Sequence, residues 1–466
     1  MSTTNKLLAG AAILVAAYAG SSWYVGKKAE AEINHQVNEI NAAIATQLAL
    51  SLGEGEIKLN VVDYDRGWFS SKVNYEIRIK SAKDEQFQFL AQDHLRHGPF
   101  PFAAIAKGHI APLLAYSDAK LLPTKETQPL FDAAKGEEPL RAHSFISFGG
   151  ATKTVIDLAA IDYRDEDGNQ VLMAKSEGQV DYVRKGGKEQ ADFTMTFPSL
   201  SLVVDEGDLH VQLNGMRANG SITEQDKAQA SEGELHIDQL GINVENSTQI
   251  FIENIKTASS YEVKDGLLDS TLTYDFGKIL ADKQDLGQMQ LDVGVKRLDY
   301  VMLNQLSQVD DLDSMDEDEL LPMIKQILVN KPEVYINNFM LSNPAGSSTL
   351  TSDVRFATTA LDPVENEELD LGHYVESLNA DIRLSRQMIK GYFSGENMIS
   401  SMADMFFNSA AEEAQEAGLV EYDGNEAKLA LSFDAATNKL LLNNKPISVE
   451  ELVQILFSMQ MGGGLF

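Results

Sequence analysis

Cysteine is absent from the 466 residues. That removes disulfides, thiolate zinc sites and cysteine nucleophiles together, and it suits an oxidising envelope compartment. Basic residues are few beside acidic ones, 38 Lys and Arg against 70 Asp and Glu, for a net charge of −32. Without clustered Lys and Arg there is nothing to neutralise a phosphate backbone, so no nucleic-acid partner is expected. The same charge should repel the body from anionic lipid surfaces. Catalytic signatures are missing too. No G-x-S-x-G elbow, H-E-x-x-H helix or G-x-x-x-x-G-K loop occurs, so neither a catalytic residue nor a cofactor is assigned and a non-enzymatic protein is expected.

Long apolar runs are also lacking, with one exception. Leu7 to Val25 is almost wholly apolar or small, preceded by polar residues ending at Lys6 and followed by Lys27 and Lys28. About 19 residues at roughly 1.5 Å each can cross a hydrocarbon core of about 30 Å. Ala17, Tyr18 and Ala19 fit a signal-cleavage site, whereas Trp23 and Tyr24 beside Lys27 and Lys28 form an interfacial collar beyond that site. The collar favours an uncleaved signal anchor over residues 1–26. Charge alone leaves its orientation open, because Glu30 and Glu32 follow the two lysines closely.

Residues 27–52 read as a helical stalk, since Ile33, Val37, Ile40, Ile44 and Leu48 recur at helical spacing. The stripe can pack on the body or on a second copy, which makes a homo-oligomer one expected partner. Past Gly53 the period becomes two. Val73, Tyr75, Ile77 and Ile79 alternate with polar residues, and so do Phe193 to Phe197, Leu209 to Leu213, Leu268 to Tyr274 and Leu291 to Val295. Asp265 and Gly266 punctuate two of these runs as a turn. Residues 53–310 are therefore expected to form an elongated antiparallel β meander.

Within it, Gly207, Leu209, His210, Val211 and Gly215 are echoed 26 residues later by Gly233, Leu235, His236, Ile237 and Gly241. The echo suggests one hairpin-like unit per repeat, or chance likeness between amphipathic strands. Asp310 to Glu319 is a charge run that leads into a helix ending near Leu328, giving an acidic loop and helix over 311–332. It lacks the Gly and terminal Glu of an EF-hand loop, so no calcium site is assigned. The last region, 333–466, reads as α+β. Met398, Met402, Met405 and Phe406 share a helix face, and Ser448 with Glu451 forms a capping box for a terminal helix. The fold class is thus mainly β with helices: an N-terminal transmembrane and stalk helix, the meander, a helical insertion and a C-terminal strand-helix unit.

The histidines offer little chemistry. His94 and His97 could face one metal on a helix turn, but Gly98, Pro99 and Pro101 break such a helix, so no metal ligand is assigned. A hydrolase would need His94, His97 or His143 beside a carboxylate in a cleft. Trp68 and Phe69, at a strand start, are expected to nucleate core, while the segment from His97 to Pro112 can pack under the sheet or face a partner.

Three strings in order resemble one family: Trp23 to Lys28 after the apolar run, Tyr64 to Ser71 with Arg66, Gly67, Trp68 and Phe69, and His97, Gly98 and Pro99 followed by Phe100 and Pro101. Together with Leu440 to Glu451 they are similar to the YdgA-like family of Gram-negative envelope proteins, whose function is unknown. The resemblance implies an inner-membrane anchor with the bulk of the chain in the periplasm, and no activity. The expected function is a scaffold that binds an envelope partner; the rivals are a lipid-binding or lipid-transfer β groove and an unrecognised periplasmic hydrolase.

Overall fold

The computed structural model describes residues 56–80, 86–204, 209–225, 228–244, 249–282, 284–307, 317–362, 370–393 and 397–461, with Val37, Asn38 and Asn41. The anchor and its collar, Trp23, Tyr24, Lys27 and Lys28, lie outside the described residues, as do the rest of the stalk stripe, the acidic run before Glu317 and the tail from Gly462. Among the described residues no helix is long and apolar enough to cross a membrane.

The chain is mainly β, an antiparallel meander with several short helices, as the period-two pattern predicted. It divides into two compact units. The first carries β1 (Glu56–Arg66), β2 (Ser70–Lys80), β3 (Gln86–His97), α1 (Phe102–Ala106), β4 (Ala115–Leu121), α2 (Gln128–Ala133), β5 (Leu140–Ile146), β6 (Thr152–Leu158), β7 (Ile161–Arg164), β8 (Gln170–Met173), β9 (Ser176–Lys185) and β10 (Lys188–Val204). Strands pair in the order β1, β2, β3, β4, β5, β6, β9, β10, β8, β7, every neighbour antiparallel. β11 (Leu209–Gln225) contributes residues to both units.

The second unit holds β12 (Ala228–Val244), β13 (Gln249–Lys264), β14 (Leu267–Ala281), β15 (Gln284–Asp299), α3 (Tyr300–Ser307), α4 (Glu317–Leu328), β16 (Glu333–Asn343), β17 (Gly346–Phe356), α5 (Leu371–Tyr374), β18 (Val375–Ser385), α6 (Arg386–Tyr392), α7 (Asn397–Glu416), β19 (Glu421–Tyr422), β20 (Glu426–Asp434), β21 (Lys439–Leu442), β22 (Lys445–Pro446) and α8 (Val449–Met461). Here the pairing runs β12 to β18 in sequence, then β20, β21 and β22, with β19 also on β20.

Local chemistry sets these boundaries. Asp265 and Gly266 both hold positive φ, 53° and 82°, between paired Lys264 and Leu267. This is the two-residue turn whose twist matches a right-twisted hairpin. Ser448 and Glu451 form the predicted capping box: the Ser448 amide donates to Glu451 Oε2 at 2.9 Å, and the Glu451 amide donates to Ser448 Oγ at 3.1 Å.

One expectation about the repeat is corrected. The 26-residue echo is not a structural unit, because β11 begins at Leu209 whereas the matching Leu235 sits mid-strand in β12, which begins at Ala228. The likeness reflects two amphipathic strands in different registers. β15 ends at Asp299 and α3 follows at Tyr300, after which the sheet resumes with β16 paired to β15. In α7 the face that Met398, Met402, Met405 and Phe406 share is exposed. The inner face of α7 is small and polar: Asp404 and Asn408 bind Arg386, and Ala411 and Ala414 are buried.

Apolar packing in the first unit centres on buried Leu95, Leu114, Ala115 and Ile146, joined by Val37, with Leu59, Val61, Tyr64 and Tyr75 packed against them. Asn41 fixes the same helical segment to the edge strand, its side-chain amide donating to the Leu59 carbonyl at 2.7 Å and accepting from the Leu59 amide at 2.8 Å. Val37 thus packs on the body of its own chain.

Candidate functional site

Antiparallel connectivity brings four connections to one end of the first unit. They are the β1–β2 turn at 67–69, the β3–β4 segment at 98–114, the β5–β6 turn at 147–151 and the β9–β10 turn at 186–187. The two central signature strings meet here. Arg66 ends β1, and Gly67 opens the turn with its amide donating to the Ser70 carbonyl at 2.8 Å. A Cβ on Gly67 would sit 2.8 Å from that carbonyl oxygen, too close for any other residue without backbone movement. The His97 amide donates to the Phe69 carbonyl at 2.8 Å, while its Nε2 lies 2.8 Å from Ser71 Oγ. Gly98 and Pro99 then start the β3–β4 segment, where the Pro99 carbonyl accepts from the Leu113 amide at 3.0 Å.

Ser71 and His97 are both almost wholly buried. Burial, with the Arg66 charge nearby, lowers the His97 pKa to about 4, so the ring is neutral at pH 7. Asp93, on the same face of β3, is buried as well. Desolvation raises its pKa to about 6 although Ser117 and the Asp118 amide both donate to it. Four residues of strand separate Asp93 from His97, about 13 Å, so the two do not form a relay with Ser71. Ser71 and His97 therefore act as an interlock between two loops, closed to solvent. His94, three residues earlier on the strand, faces the opposite side. His109 stacks on Phe145 with ring centroids 5.0 Å apart. His143 Nδ1 is 3.8 Å from Asp157 Oδ2, beyond hydrogen-bond reach.

Around this interlock the surface is apolar. Trp68 is 64% exposed, Phe102 81% and Ile110 77%, with Phe69, Phe100, Ile105 and Phe148 also exposed. The expectation that Trp68 and Phe69 nucleate core is overturned. The tight Gly67 turn throws both rings off the strand end, and Leu95, Leu114 and Ile146 fill the core without them.

A second apolar surface spans the other unit. Directly opposed partners carry a row from strand to strand: Leu235, Thr257, Tyr274, Leu291, Phe339, Leu350, Ile382 and Leu429. Directly paired residues share a sheet face, so all eight lie on one side. Each is part-exposed. A neighbouring row on that side runs Ile237, Ile255, Phe276, Met289 and Leu341. One position along, the opposite face reads His236, Lys256, Asp275, Gln290, Met340, Thr349, Arg383 and Lys428, with seven of the eight polar. The alternation within each strand was legible in the sequence. Its alignment across eight strands depends on register, which no single strand encodes.

Polar side chains brace this sheet from its other side. Buried Glu333 accepts from Lys296 at 2.7 Å and from Arg355 at 2.9 Å, and the Lys296 ammonium lies 4.7 Å from the Tyr335 ring centroid. Sequence reading missed this cluster, and missed Asp93, because neither lies in a recognisable motif.

Comparison with known proteins adds the family. The profile described as "Bacterial protein of unknown function (DUF945)" matches residues 4–450. The chain belongs to this family. DUF945 relatives include Protein YdgA of Escherichia coli (strain K12), 27% identical over 349 residues, covering 71% of this chain and 66% of that protein. Uncharacterized protein YihF of the same organism is 24% identical over 504 aligned positions, covering 97% of this chain and 98% of its own length. An uncharacterized protein of Haemophilus influenzae is 29% identical over 163 residues, 35% of this chain and 44% of that one. No solved structure matches.

Proposed function

We propose that this DUF945 protein works by binding rather than catalysis: the apolar face of its second unit receives extended apolar chains of the kind found in lipids. In this reading residues 7–25 hold the chain in the inner membrane with its bulk in the periplasm. The observation that carries the reading is the row from Leu235 to Leu429, apolar but for Thr257 and the Tyr274 hydroxyl, part-exposed across eight strands and backed by a polar face. Apolar surface left in water costs about 25 cal/mol per Å², which a bound acyl chain would recover. The apolar run with its Trp23, Tyr24, Lys27 and Lys28 collar supports the anchor.

The test uses the full chain in detergent micelles with a fluorescent fatty-acid analogue. L291E and I382E place carboxylates on the apolar face and should weaken binding tenfold or more, whereas Q290E, on the polar face, should leave it unchanged. Equal binding by all three, with folding verified by circular dichroism, would count against the reading.

A scaffold role is favoured by a different feature, the outward face of α7, where Met398 is 77% exposed beside exposed Met402, Met405 and Phe406. Met-rich faces suit a partner of adaptable shape. If that face makes a contact, M402E with F406E should lower the mass of an assembly measured by sedimentation; an unchanged mass would dispose of this contact as a self-association site.

A further inference from the structure

The aromatic end of the first unit points to a lipid surface. Trp68, Phe69, Phe100, Phe102, Ile110 and Phe148 are exposed at one end of one sheet. Isolated exposed apolar residues are ordinary, but a cluster supplied by three separate loops marks a surface that another phase or molecule covers. Which one is indicated by charge and by chain length.

Charge comes first. In a chain with a net charge of −32, no acidic residue occurs from Arg66 to Tyr75, from His97 to Ser117 or from Pro139 to Ile156. Of the basic residues there, Arg141 is bound to Asp118 at the far end of β5, and Arg66, Lys72, Lys107 and Lys153 are joined at the aromatic end by Arg184, Lys185 and Lys188 of the β9–β10 hairpin. The loops that carry the rings hold no carboxylate, while Asp65, Asp181 and Glu189 lie on the strands beneath, opposite Lys72, Lys153 and Arg184; rings set above Lys and Arg match the zone where acyl chains meet phosphate headgroups. The acidic remainder of the body is what a bilayer repels, so this end is the one it would accept.

Chain length points the same way. Val37 packs with Leu95, Leu114, Ala115 and Ile146, all within two positions of the strand ends that carry the aromatic loops, while Asn41 is fixed further along the edge strand at Leu59. The chain therefore passes the aromatic end before reaching Asn41. Only 11 residues separate Val25 from Val37, a reach of at most about 40 Å even when fully extended. We infer that this end rests in the interfacial zone of the membrane, Trp68, Phe102 and Ile110 entering the headgroup and upper acyl region. The inference rests on the reading of residues 7–25 as an anchor.

The two tryptophans, Trp23 and Trp68, make the two readings separable. The full chain is reconstituted in phosphatidylcholine bilayers as W23F, which leaves Trp68 as sole emitter, and as W68F, which leaves Trp23. Brominated acyl chains should quench both, and aqueous iodide should fail to quench Trp68. Adding F102S and I110S to W23F should restore iodide quenching of Trp68. If Trp23 is quenched by brominated lipid while Trp68 answers only to iodide, the anchor stands and the interfacial end is overturned. Trp68 shielded from both quenchers would mean a protein surface covers it, a second copy included, and also overturns the inference. If neither tryptophan is quenched by lipid, the anchor reading fails and this one with it.

Discussion

Nε2 of His97 lies 2.8 Å from Oγ of Ser71, two strands meeting where two loops leave them. The pair ties the Gly67 turn to the β3–β4 segment, and both side chains are shut away from water. That geometry gives Gly67, Ser71 and His97 of the two signature strings a structural role. They shape a platform for exposed rings.

The first prediction concerns acid. The His97 pKa is about 4 in the folded chain against an ordinary 6.5, so the unfolded state binds the extra proton between those values. Stability from the neutral ring is complete above pH 6.5 and is lost as pH falls through 4, by about 3 kcal/mol in all. H97Q should flatten that part of the urea-midpoint profile while lowering stability at pH 7. S71A, which leaves a buried ring nitrogen without its hydroxyl, should cost about 1–3 kcal/mol at pH 7.

Asp93 has the opposite sign. Its folded pKa is raised to about 6 from 3.8, so the folded state holds the extra proton and stability falls as pH rises from about 4 to about 6. D93N should gain on the parent protein across that window and stay ahead above it. Denaturation midpoints at pH 4 and pH 8 measure this; an identical gap at both would refute it.

Arg386 binds Asp404 through two contacts, 2.7 and 3.0 Å, and its third nitrogen reaches Asn408 and the Gly424 carbonyl. It is the bolt between α6, α7 and the β19–β20 turn. R386K keeps the charge but loses the forked geometry, so both R386K and R386M should lower stability by about 2 kcal/mol or more in urea titrations. Proteolysis should open α7 first.

Much of this architecture was legible in residue order. Alternation at Leu268 to Tyr274 and at Leu291 to Val295 marks strands, the Asp265–Gly266 pair marks its hairpin, and Ser448 with Glu451 marks the last helix. What escaped depends on tertiary context. Trp68 looks like core by composition, and only the Gly67 turn turns it outward. The spacing of the α7 methionines groups them on one face without fixing which way it points, and Arg386 binding Asp404 on the other face turns it outward. The candidate surface itself was legible strand by strand, yet its continuity from Leu235 to Leu429 is set by register.

Binding on that surface is the central claim, and face-specific photo-crosslinking in growing cells tests it most directly. A benzophenone side chain at Leu291 lies on the apolar row and one at Gln290 on the polar row, adjacent in sequence and opposite in space. Mass spectrometry of the irradiated protein should find lipid adducts at position 291 and none at position 290. Adducts at both positions, or at neither, would contradict the account.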